Sequence, residues 1–129
     1  MLTFWNKSFY NKTDLQLFIE VDSVPKRKFV KCSFEKVNLT GIVFGSSYFK
    51  NCIFNYSIFR KSLFLNCKFE SCKIKNCYST RAELDETAFT NCSFEKIDFP
   101  GSDLDNCKFE LTTFSKSNLD CGRKCKNKT

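Results

Sequence analysis

Apolar residues along this chain keep neither a helical nor a strand rhythm; from Phe29 onward they recur every fifth position. The series runs Phe29, Phe34, Leu39, Phe44, Phe49, Phe54, Phe59, Phe64, Phe69, Ile74, Ser79, Leu84, Phe89, Phe94, Phe99, Leu104, Phe109, Phe114 and Leu119, broken only at Ser79. Two residues before each lies a second, mostly small side chain, among them Cys32, Cys52, Ser57, Cys67, Cys72, Cys77, Cys92, Cys107 and Thr112. A five-residue step turns an α-helix by about 140°, and a strand repeats every two residues, so neither element alone carries both series. An extended stretch with positions i−2 and i facing inward, followed by a quarter-turn corner, does carry them. Four such sides close one coil, and coils stack about 4.8 Å apart with parallel-sheet hydrogen bonds.

This geometry predicts an all-β solenoid whose inner columns can be named. Phe29, Phe49, Phe69, Phe89 and Phe109 are expected along one wall, with Phe34, Phe54, Ile74, Phe94 and Phe114 along the next. Cys32, Cys52, Cys72 and Cys92 form one line of small residues ending at Thr112. Ser79 should leave a gap between Phe59 and Phe99, and the expectation is a bulge that lets Tyr78 shield it, or a kink at NCYST.

The period is absent before Phe29. Residues 1–28 are read as an N-terminal cap, with LQLFIEV (15–21) as a strand and Pro25 at a bend, because a solenoid needs its terminal coil shielded. Residues 29–119 form the repeat domain, and 120–129 a polar tail expected to fray beyond Cys125.

Composition agrees with a repeat. Sixteen phenylalanines against one tryptophan and one methionine indicate a single dominant core residue type. The net charge of +7 permits attraction to anions. No apolar run is long enough for a transmembrane helix, and the N-terminus lacks the uninterrupted apolar stretch of a signal peptide.

Nine cysteines raise the question of disulfides or metal, but seven fall at the inward small position, where a free thiol is a compact filler. Their spacing is not that of a zinc knuckle and the chain has no histidine, so no metal or other cofactor is expected. Cys121 and Cys125 lie outside the series and are the candidates for a disulfide, with each other or with the cap. Six N-x-Ser/Thr sequons begin at Asn6, Asn11, Asn38, Asn55, Asn91 and Asn127, all candidates for glycosylation, although corners favour Asn on turn grounds alone. Lysines and acids mix over the outward positions; Lys68 to Arg81 is the densest basic stretch, a weak nucleic-acid signal without interleaved outward aromatics. Without histidine or a glycine-rich phosphate loop, and with its acids dispersed, the chain offers no catalytic constellation and is read as a non-enzyme.

The two series resemble the pentapeptide-repeat family, which implies a right-handed quadrilateral β-helix. Members of that family resembling quinolone-resistance proteins mimic DNA towards gyrase through an acidic rod, which a charge of +7 does not match. Within the family, YFKNCIF (48–54), FESCKI (69–74), the break at Ser79, AFTNCSF (88–94) and the paired sequons of NKSFYNKT (6–13) are similar to the luminal loop of synaptic vesicle glycoprotein 2 and its transporter-like relatives. That resemblance implies a luminal or extracellular, N-glycosylated recognition domain set between membrane helices, with this chain a fragment, an excised domain or a divergent soluble relative of such a protein. In that family an open strand edge and a glycan serve as a neurotoxin docking site; Asn91 matches the glycan-bearing motif, but Glu95 stands where an aromatic would favour the toxin, so toxin binding is not carried over beyond the resemblance itself. The alternative is a soluble bacterial or effector-type member, in the cytoplasm or secreted, that binds a protein partner. A third reading is non-specific anion binding through the basic outer positions.

Overall fold

Every fifth residue from Lys31 to Lys116 sits in the left-handed region, at φ 50–58° for the non-glycines and 75° and 66° for Gly41 and Gly101. These are the corners. Asparagine, which adopts this conformation at little cost, fills five of them: Asn51, Asn66, Asn76, Asn91 and Asn106. Corner N–H groups donate to carbonyls of the following coil, as from Asn51 to the Glu70 carbonyl at 2.9 Å or Lys61 to Thr80 at 3.0 Å, which offsets the backbone strain.

The computed structural model describes residues 2–11, 14, 23–24, 26–104 and 106–117. The protein is an all-β, right-handed quadrilateral solenoid. Side 1 carries β1 (Leu2–Trp5), β4 (Arg27–Val30), β7 (Tyr48–Lys50), β10 (Lys68–Glu70), β12 (Ala88–Thr90) and β14 (Lys108–Glu110), all parallel and in that order. Side 2 carries β2 (Ser8–Phe9), β5 (Ser33–Glu35), β8 (Ile53–Asn55), β11 (Lys73–Lys75), β13 (Ser93–Glu95) and β15 (Thr113–Ser115). Side 3 is held by the isolated bridges Asn38 to Ile58 and Ile58 to Tyr78. Side 4 has β3 (Ser23–Val24), β6 (Val43–Gly45) and β9 (Leu63–Leu65), continued by bridges from Leu63 to Glu83 to Asp103.

In register along side 1, Phe29, Phe49, Phe69, Phe89 and Phe109 pair coil to coil. Their rings stack at centroid distances of 4.9, 4.5, 4.7 and 5.3 Å. Rings on adjoining sides meet edge to face, as Phe49 does with Phe54 at 63°. Each such side chain, taken out of water, contributes roughly 1.5–3 kcal/mol before chain entropy is subtracted.

The small inward position has a second role besides filling. Cys52, Ser57, Cys72, Thr87 and Cys92 donate to the carbonyls of Phe29, Phe34, Phe49, Phe64 and Phe69 at 3.1–3.3 Å. Thiol and hydroxyl are interchangeable here because both supply one short donor.

The columns also extend upstream of Phe29. Phe4 pairs with Phe29 and Phe9 with Phe34, a step of 25 residues where later coils take 20. Val24 pairs with Phe44 at the ordinary step, so the five extra residues fall between Phe9 and Val24. The predicted strand at 15–21, the Pro25 bend, Leu119 and the tail lie outside the described residues.

At Ser79 the expectation of a bulge or kink is overturned. The coil is regular: Tyr78 pairs with Ile58 and points outward, 67% exposed, while Ser79 is buried. A cavity of about 30 Å³ remains, lined by Phe59, Ile74, Ser79, Ala82, Leu84 and Phe99 among others. At about 24 cal/mol per Å³ that void costs only about 0.7 kcal/mol. A bulge would sacrifice the bonds from Phe59 N to Tyr78 O (2.6 Å) and Tyr78 N to Ser57 O (3.1 Å), at about 1 kcal/mol each. The ladder therefore prevails over the void.

Candidate interaction surface

Inward positions being fixed, chemistry is left to three outward positions per side: i−1, i+1 and the corner i+2. The coil places residues twenty apart in one column, and this sorts the surface into four unlike faces. Side 1 carries Lys28 over the ring of Tyr48 at 5.2 Å, and Lys50 3.6 Å from Glu70. Burial, and then Glu70, raise the Tyr48 hydroxyl above its ordinary pKa. Between this face and the corner above it, Lys26, Ser46, Tyr48, Asn66, Lys68 and Thr90 line a polar groove of about 620 Å³. Side 4 passes from apolar Val43, Leu63 and Leu65 to acidic Glu83, Asp85, Glu86 and Asp103.

Side 3 differs from all of these. Its i−1 column reads Asn38, Ile58, Tyr78, Asp98; its i+1 column Thr40, Arg60, Thr80, Pro100; its corner Gly41, Lys61, Arg81, Gly101. Ile58 and Tyr78 are direct neighbours across the ladder. Tyr56, 52% exposed, stands on the preceding corner, and Ile53, 44% exposed, opens side 2 of the same coil. Arg60, Lys61 and Arg81 are exposed beside them. Arg81 lies along Gly101, where an added Cβ would sit 3.4 Å from its Cγ, so the corner is low there. The result is an apolar strip bordered by three cations, with Asp98 below it.

The basic stretch Lys68 to Arg81 is dispersed by the fold. Lys68 faces out on side 1, Lys73 and Lys75 on side 2, and Arg81 at the far corner of side 3. What sequence order missed, column order shows: outward Tyr56 and Tyr78 are brought to cations that lie three to twenty-five residues away. Reading the i−1 series at steps of twenty would have found the strip.

The sequons fall in unlike settings. Asn6 and Asn91 occupy left-handed corners, a structural reason for asparagine. The Asn91 side chain donates to Ser71 at 3.2 Å, and Asn55 is half-buried, accepting from Asn76 at 3.4 Å. Asn11 accepts from the Asp14 backbone at 2.9 Å. Asn38 is exposed, and its Oδ1 accepts both the Thr40 N–H (3.0 Å) and the Thr40 hydroxyl (2.6 Å), leaving its amide nitrogen outward of that turn. Asn127, Cys121 and Cys125 lie outside the described residues. Cys32, Cys52, Cys67, Cys72, Cys77, Cys92 and Cys107 are buried and form no disulfide. Burial pushes the Cys67 thiol up to about 11 and the Cys77 thiol up to about 12.

A wall of in-register pentads with left-handed corners defines a repeat-solenoid protein. Residues 42–119 match the family described as pentapeptide repeat region, and the chain belongs to the pentapeptide-repeat family. Among solved structures it is similar to trypsin-treated QnrB1, a plasmid-mediated fluoroquinolone resistance protein, at 14% identity over 90% of this chain and 67% of that one, with a TM-score of 0.50. It is also similar to the pentapeptide repeat protein Rfr23 from the cyanobacterium Cyanothece 51142, at 8% identity over 92% and 88% of the two chains, with a TM-score of 0.41. No curated protein matches the chain. At these identities the likeness is one of fold. These matches give no support to the expected likeness to synaptic vesicle glycoprotein 2, nor to the luminal and transporter roles it implied. Among the described residues no helix is long and apolar enough to cross a membrane.

Proposed function

We propose that this protein is a non-catalytic pentapeptide-repeat module that binds a protein partner through side 3. The observation that carries the reading is half-buried Ile58 joined across the ladder to exposed Tyr78 and continued by exposed Tyr56, with Arg60, Lys61 and Arg81 exposed on the neighbouring outward positions of the same side. Tyrosine and arginine are the residue types on which binding energy concentrates, and an apolar centre rimmed by charge is the usual interface anatomy. The charge selects the partner: a surface with apolar side chains flanked by carboxylates. QnrB1, whose name describes fluoroquinolone resistance, supports a non-structural role for this fold in bacteria.

The test is affinity capture from the native host with wild type, Tyr78→Ala, Arg60→Glu and a side 1 control, Lys68→Glu. The expected result is a partner retained by wild type and the control and lost by both side 3 variants. Equal loss in the control removes side 3 from the reading. Binding to DNA that falls steeply with salt would instead support the anion-binding reading. Glycosylation remains a separate proposal, with Asn38 its best-presented sequon: expression through a secretory pathway should give a glycosidase-sensitive shift that Asn38→Gln abolishes.

A further inference from the structure

The inner column of side 2 sets four thiols in consecutive coils. Cys32, Cys52, Cys72 and Cys92 are exposed by 3% or less. Their sulfurs occupy equivalent places, 3.3–3.4 Å from the carbonyl oxygens of Phe4, Phe29, Phe49 and Phe69. The strands that follow them are paired in register, Ser33 with Ile53, Ile53 with Lys73 and Lys73 with Ser93. Neighbouring sulfurs therefore repeat at about the strand spacing of 4.8 Å. Two metal–thiolate bonds of about 2.3 Å placed end to end span nearly the same distance.

We propose that Cys32 with Cys52, and Cys72 with Cys92, form two linear bis-thiolate sites for a soft divalent cation of the mercury(II) kind. The coordination number follows from the geometry. Among the described residues no three or more of His, Cys, Asp and Glu converge to hold a metal, which leaves zinc without its four ligands. A column presents sulfur above and below a point, not around it. The charge follows from the surroundings: two thiolates and a divalent cation are neutral, whereas copper(I) or silver(I) would leave a net negative charge among phenylalanine rings. In binding, two S–H bonds break and two sulfur–metal bonds form from the sulfur electron pairs. Two protons leave to solvent per cation, and from mercury(II) chloride the two metal–chlorine bonds break and two chloride ions leave with them, with no change of oxidation state. The thiols of each pair are unequal. Interaction with the neighbouring thiols of the column lowers Cys52 and Cys92 and raises Cys32 and Cys72. One member of each pair thus yields its proton first. Because all four sulfurs are buried, loading follows opening of the coils.

Mercury(II) chloride is the probe, added to the full chain carrying Cys121→Ser and Cys125→Ser so that thiols outside the repeats do not compete. Cys67, Cys77 and Cys107 have no thiol in the adjoining coil of their own columns, where Ser47, Thr87, Ser57 and Ile97 stand. The expected result is two cations per folded chain, four protons released, and X-ray absorption showing two sulfurs at about 2.3 Å. Cys52→Ser and Cys72→Ser should each bind one cation, and the double variant none. These serines keep the donor, as Ser57 does to Phe34 (3.1 Å) and Thr112 to Phe89 (3.2 Å), and circular dichroism checks the fold. Absence of uptake by the folded chain, or undiminished uptake by the double variant, overturns the proposal.

Discussion

Ser79→Leu would put a large residue at the one pentad centre that lacks it, in the column where Leu39 is already fully buried. Leucine adds a net of two heavy atoms and replaces an oxygen by carbon, so about three apolar carbons enter the core, worth about 0.8 kcal/mol each. Closing the void of about 30 Å³ returns about 0.7 kcal/mol more. Against this stands the loss of the Ser79 hydroxyl's bond to the Asp98 carbonyl, at about 1 kcal/mol. The expected outcome is a net stabilisation of about 2 kcal/mol, read as a higher urea midpoint at unchanged slope. Ser79→Ala gives up the bond without filling the space and should lower stability by about 1 kcal/mol. Opposite signs for the two variants are what the reasoning requires. A Ser79→Leu protein less stable than wild type would refute it, showing that the coil cannot yield enough to admit the side chain.

Two further outcomes follow from the corners and the thiols. Asn51 sits at φ 53°, so Asn51→Val should cost about 1–2 kcal/mol by chemical denaturation while Asn51→Gly stays within about 0.5 kcal/mol. Cys67 and Cys77 are raised from 9.0 to about 11 and 12 by burial, so the folded state holds protons that the unfolded state has released. Their contribution is complete below pH 9 and is lost as pH rises through 11 and 12, at about 1.4 kcal/mol per thiol per unit. Urea titrations at a series of alkaline pH values should show that decline, and a flat profile would contradict it.

Period five made the inner wall legible because burial and corner geometry repeat without interruption from Phe29. Phe4 and Phe9 were missed although they too are five apart, since the extra pentad before Val24 hides their relation to Phe29 and Phe34. The Tyr78 expectation failed because a gap was weighed without the hydrogen bonds that closing it would break. The side 3 strip stayed hidden for a different reason: it is assembled across coils, and nothing in the local order around Ile58 announces Tyr78. Cysteine at the inward position was legible as filler but not as donor, a role visible only once the Phe29 carbonyl is seen to lie in the coil before Cys52.

The 25-residue first coil shows that this wall behaves like a reading frame. Adding a whole side's worth of chain leaves every later residue facing the way it did before. Gaining or losing a single residue would turn phenylalanines to water and lysines to the interior for the rest of the solenoid. Tolerated length changes should therefore come in multiples of five, and grafted recognition loops can be placed at corners without redesigning anything downstream.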